Sequence, residues 1–199
     1  MSVFPRMSLR QTVAVVAVLN GAYFVVEFAM ASRTGSVSLF ADSIDFLEDM
    51  SLNILVILGI GWTAARRARL GRVLALLLLV PAGTAVWVLV DKLLNPEPPE
   101  PLGWGVTSVG ALLVNVFCAY LLVSHRNTEG SLSRAAWLSA RNDALVNVAM
   151  IVGALITLVW LSVWPDVVLG AIIIALNADA AIKVWRSAGA ERPPETAEA

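Results

Sequence analysis

Six long apolar runs, separated by short polar breaks, constrain this chain more than any other feature. They fall at about 11–31, 38–64, 73–94, 103–124, 134–162 and 167–185, and a helix needs about 20 residues to cross roughly 30 Å of hydrocarbon. Between them lie Arg66-Arg67-Ala68-Arg69, the proline-rich stretch 95–101 and the corner Trp164-Pro165-Asp166, which all read as turn or breaker chemistry. A backbone in lipid must satisfy its polar groups internally, so six such runs imply an all-α fold, a six-helix transmembrane bundle. Composition agrees. With 58% hydrophobic and 15% charged residues and a mean hydropathy of +0.78, the chain is too apolar for an ordinary soluble domain. The first run is full length and lacks a cleavage site, so it reads as a retained span and not a leader. Residues 1–186 are expected to form one transmembrane domain and 187–199 a short disordered cytoplasmic tail.

Charge sets the expected orientation. Arg6, Arg10, Arg66, Arg67, Arg69, Arg72, Arg126, Arg134, Lys183, Arg186 and Arg192 fall at one set of helix ends, against only Arg33 and Lys92 at the other. The positive-inside rule then puts both termini in the cytoplasm of a multi-pass protein of the cell (inner) membrane. A net charge of −1 argues against nucleic-acid binding. The single cysteine, Cys118, lies in an apolar run, where it reads as a small packing residue with no disulfide partner.

The second run carries the informative residues. Its purely apolar part, 54–65, has 12 residues, about 18 Å at about 1.5 Å per residue, too short to span. The helix must extend back through Asp49, Asp45 and Asp42 toward Ser38, which carries these acids into the membrane. On a helix Asp42, Asp45, Asp49 and Asn53 share one face, with Glu48 at its margin. Span five repeats the pattern with Ser139, Asn142, Asp143 and Asn147, and span one with Asn20, Tyr23 and Glu27. Three polar stripes on apolar helices are expected to face one another around a wet, cation-accepting cavity. Hydrogen-bonding glue between helices is the plainer role, and fits Asn20, Tyr23, Asn53 and Asn147 best. Asp45 and Asp49, about 6 Å apart along the helix, repel one another unless protonated or bridged by a cation.

These residues resemble the cation diffusion facilitators, exporters of divalent metals in exchange for protons. The resemblance is carried by Asn20 and Glu27, by the stretch 35–49 with its Gly35, Ser36-Val37-Ser38-Leu39, Ala41-Asp42 and Asp45-x-x-x-Asp49 elements, by Leu138-Ser139-x-x-x-Asp143, and by Trp164-Pro165-Asp166. It covers the whole six-helix region. It implies a transport site of four ligands, two from span two and two from span five. Asp45, Asp49 and Asp143 match that pattern by position. Ser139 departs from it, standing where the family usually has His or Asp, so the fourth position falls to Asn142, Glu48 or water, with Asp42 and Glu27 as further accessory residues.

The family's histidine-rich loop between spans four and five is replaced by a short connection at 124–131, where His125 is the chain's one histidine, and the family's C-terminal dimerisation domain is expected to be absent. Pairing into a homodimer would then run through the membrane helices.

The resemblance implies alternating access, in which the carboxylates exchange a divalent cation for protons. No cofactor is expected; the cation is substrate. A ligand set of oxygens leans toward Mn²⁺ or Mg²⁺, with Co²⁺, Fe²⁺ and Zn²⁺ still open. Arg141 is read on the face opposite Asp143. Asn177 and Asp179 are read as accessories near the cytoplasmic end of span six. Two other readings stand beside transport. A membrane scaffold or metal sensor could keep the fold and lose full ligation, and a Mg²⁺-dependent membrane enzyme could hold its ion on an Asp-x-x-x-Asp pair, although no phosphate-handling residues flank Asp45 and Asp49.

Overall fold

The computed structural model describes residues 7–59, 63–123 and 131–190. His125 with the connection 124–130, Arg6, Arg126, Arg192 and the tail from 191 lie outside the described residues. Six helices follow in order: α1 Leu9–Thr34, α2 Val37–Gly59, α3 Ala64–Leu94, α4 Pro101–Val123, α5 Ser131–Val159 and α6 Trp164–Ala190. No strand occurs among the described residues, so the expected all-α, six-helix architecture is the one observed.

Local chemistry explains the helix ends. Ser8 opens α1 with a capping box: its hydroxyl accepts from the Gln11 amide at 3.3 Å, and the Gln11 side chain accepts from the Ser8 amide at 3.0 Å. Gly35 closes α1 in the left-handed conformation, φ 68°, with its N–H on the Ala31 carbonyl, a geometry that favours glycine. Ser36 then caps α2 by accepting from the Leu39 amide at 3.2 Å. A tight α1–α2 hairpin results. At α4, Glu100 stands just before Pro101 and its carboxylate takes the Leu102 and Gly103 amides at 2.9 and 2.6 Å.

Two breaks expected from sequence are instead helix starts. Arg66 and Arg69 belong to the first turns of α3, because arginine is a good helix former and charge alone does not end a helix. Trp164-Pro165-Asp166 is the first turn of α6, where proline lacks only an N–H that would be unpaired anyway.

Among the described residues three stretches are long and apolar enough to cross a membrane by length and composition alone: Leu9–Thr34, Pro101–Val123 and Trp137–Val159. α2 is not one of them because it carries Asp42, Asp45, Glu48 and Asp49 within two turns. Outward faces are apolar, as at Val18, Leu113 and Val159, and the exposed Trp160 and Trp164 flank the α5–α6 corner, where amphipathic rings suit a membrane interface.

Two apolar clusters fill the interior. Ala31, Leu39, Ala41, Trp104, Met150, Ala154 and Ile173 form one; Val13, Val16, Cys118, Leu121, Leu122 and Ala140 form the other. Along α1, the polar residues Asn20 and Glu27 fall between the members of these two clusters.

The end of the bundle holding the α1–α2 hairpin is fastened by Asp166. Its carboxylate accepts from the Ser36 and Ser38 hydroxyls, both at 2.7 Å, and from the Val37 and Ser38 amides at 2.8 and 2.9 Å. An acid on α6 thus caps the start of α2, where the helix dipole favours negative charge. Gly170 allows the close approach, since a Cβ there would lie 2.6 Å from Val37 Cγ1 and 3.1 Å from the Ser38 amide nitrogen. Lys92 of α3 reaches the same corner, donating to the Gly35 carbonyl at 2.7 Å.

Candidate cation site

α2 packs against both α1 and α5, and the expected polar stripes meet there. Asp49 is the hub. Its Oδ1 accepts from Ser139 Oγ of α5 at 3.2 Å, and its Oδ2 lies 3.5 Å from Asn20 Nδ2 of α1, at the limit of hydrogen bonding. Ser139 Oγ also lies 3.4 Å from Asp143 Oδ2. One hydroxyl carries one proton, so it serves one of these carboxylates at a time. Asn20 is oriented from behind by Cys118 Sγ of α4, 3.7 Å from its Oδ1.

Asp45 sits one turn from Asp49 on the same face, half-buried, within electrostatic reach of Asp143, Asp42, Glu48 and Asp49. Glu48 is buried. A further turn along, Asp42 is enclosed and accepts from Asn147 Nδ2 of α5 at 2.6 Å, while Asn147 accepts from Asn115 Nδ2 of α4 at 2.9 Å. Glu27 of α1 is enclosed against Asp42.

Not every residue of the stripes turns inward. Asn142 is exposed and accepts from Arg141 Nη2 at 3.2 Å; the Arg141 guanidinium lies 5.4 Å from the Trp137 ring centroid, away from the acids. Tyr23 turns to α4, donating to the Thr107 carbonyl at 2.6 Å and packing on Phe46. Asn53 caps inward on its own helix, donating to the Asp49 carbonyl at 2.7 Å. Asn177 reaches the Ala41 carbonyl at 3.1 Å and so ties α6 to α2 beside Asp42.

Sequence reasoning missed three contributors. Asn115 orients Asn147, and Asp166 and Lys92 fix the start of α2. Asp166 carried a signal, an acid in a helix's first turn; Asn115 carried none, being a lone amide in an apolar run.

Among the described residues no three Asp, Glu, His or Cys side chains converge as ready ligands in this arrangement. Instead Ser139 stands between Asp49 and Asp143.

Six helices, three of them long and apolar enough to cross a membrane, enclosing carboxylates contributed by α1, α2 and α5 define a polytopic membrane protein with a buried acidic centre. The cation efflux transmembrane domain matches residues 13–191, nearly the whole helical region, and the chain belongs to that family. Its members are transporters of cations and not enzymes. Comparison with curated proteins gives no match.

Proposed function

We propose that this protein exports divalent metal cations from the cytoplasm in exchange for protons, with Asp45, Asp49 and Asp143 as ligands. The observation that carries this reading is the single Ser139 hydroxyl placed between Asp49 of α2 and Asp143 of α5. Carboxylates on two separate helices are thereby held at one point by a weak, exchangeable partner. A cation with two charges replaces that hydroxyl with a stronger attraction, drawing α5 toward α2 and giving the bound state a different helix arrangement. Ser139 then supplies a neutral oxygen or leaves its place to water.

Ligand carboxylates must be ionised to bind, so protons and cation compete: affinity falls as pH falls, and binding releases protons. Two-sided exposure of this competition is the basis of exchange. An all-oxygen set suits a hard cation, and Mn²⁺ or Mg²⁺ is the expected cargo. Export in this direction requires both termini in the cytoplasm of the cell membrane, as the basic helix ends imply. Homodimerisation through the membrane helices belongs to the same reading and rests on family resemblance.

Thermal unfolding of the purified protein over a panel of divalent ions tests binding. A ligand at about 100 times its Kd stabilises by about 2.7 kcal/mol, so Mn²⁺ should raise Tm by several degrees, and Asp45→Asn should remove the shift. A shift that survives Asp45→Asn contradicts the ligand assignment, and no shift with any ion favours a scaffold.

A further inference from the structure

Three acids among the described residues have no exposed surface, Glu27, Asp42 and Asp166, each at 0%. Asp166 is saturated by four donors. The other two are not. Asp42 Oδ2 receives the Asn147 amide, but Asp42 Oδ1 and both Glu27 oxygens meet no hydrogen-bond partner. Yet the two carboxyl groups lie within hydrogen-bonding reach of each other across the α1–α2 contact.

Two carboxylates cannot hold such a contact in an enclosed place, because their repulsion adds to the cost of removing both from water. With one proton between them the contact becomes a short, charge-assisted O–H···O bond. Among the described residues, no basic side chain acts on either carboxyl. Tyr23 of α1 is committed to the Thr107 carbonyl, Asp45 of α2 and Asp143 of α5 are acidic, and α4 presents the neutral Asn115 behind Asn147. Asn115 also fixes the Asn147 amide with its NH₂ toward Asp42 Oδ2, and a donor on that oxygen stabilises the ionised form of Asp42, so the shared proton is assigned to Glu27 and its acceptor to Asp42 Oδ1.

We infer that Glu27 and Asp42 form a proton-binding site separate from the cation ligands, and that this pair carries one of the protons exchanged for the cation. The inference rests on the proton-exchange reading above and adds the residues that move the proton. In the cation-free state the Glu27 O–H donates to the Asp42 carboxylate. A divalent cation arriving at Asp45, one turn away on α2, makes two ionised carboxylates tolerable there; the O–H electron pair stays on the Glu27 carboxylate and the proton passes to water on the side from which the cation entered. When the cation departs, Glu27 regains it.

Glu27→Gln tests this, because the amide keeps a donor toward Asp42 but has no proton to lose. Calorimetry of Mn²⁺ binding in buffers of different ionisation enthalpy counts protons released per ion. Glu27→Gln should bind Mn²⁺ within about threefold of the parent and release about one proton fewer. Equal release overturns the inference, as does loss of Mn²⁺ binding, which would make Glu27 a ligand. Asp42→Asn repeats the test from the acceptor side.

If neither variant folds, infrared absorption of the cation-free protein decides: a carbonyl band from an undissociated carboxylic acid that persists in Asp45→Asn, Asp49→Asn and Asp143→Asn supports the pair, and its absence from the parent, or its loss with any of these ligand variants, overturns it. A parent that binds no Mn²⁺ defeats the transport reading, while the infrared comparison of parent and Glu27→Gln still decides the pair.

Discussion

Ser139 is the residue on which the site's chemistry turns. It reaches Asp49 at 3.2 Å and Asp143 at 3.4 Å, and a hydroxyl contributes no charge to a cation. Ser139→Asp should therefore tighten Mn²⁺ binding by about tenfold or more, since affinity for hard cations rises with the charge of the ligand set; weaker binding in calorimetry would show that the serine is itself required. The acids were legible in the sequence because an i, i+4 spacing on an apolar helix fixes both face and depth, as with Asp45 and Asp49. The partners of those acids were not. The stripes of α1 and α2 were expected to face one another, but which residue meets which, Asn20 with Asp49 and Glu27 with Asp42, depends on the rotation and shift of α1 against α2, which spacing along each helix does not encode. Asn142 illustrates the converse: one residue from Asp143, it faces outward onto Arg141.

Among the elements, α2 is the one most constrained by its neighbours. The Asp166 carboxylate satisfies two backbone amides and two hydroxyls at its start, so Asp166→Ala should destabilise the protein by about 2–4 kcal/mol, the cost of orphaning several buried donors. Thermal unfolding in detergent measures this, and an unchanged Tm would contradict it. Gly170→Leu should disturb the same junction, because no side chain fits between α6 and Ser38. Helix number and order were readable from hydropathy, whereas two boundaries were not: arginines at the start of α3 and proline at the start of α6 look like breaks until their position in the first turn is known. α2 itself was found by length arithmetic, since its apolar part alone is too short to span.

At the scale of the whole molecule, the fastened end and the acidic centre lie at different levels of the bundle. Asp166 and Lys92 bind the α1–α2 hairpin at one end, while Asp49, Ser139 and Asp143 lie further along α2 and α5 with only weak, long contacts between them. Such a distribution suits a pivot at the fastened end and movement of α5 relative to α2 around the site. Cysteines placed at Ser2 and Ala199 should both react with impermeant thiol reagents from the cytoplasmic side only, the native Cys118 being buried; labelling from the other side would reverse the proposed direction of transport. The central claim is tested most directly by Mn²⁺ uptake into proteoliposomes with a pH dye inside. The parent should take up Mn²⁺ with a matching rise in internal pH as protons leave, and Asp49→Ala should abolish both. Asp49→Ala moving Mn²⁺ as fast as the parent would contradict the assigned site.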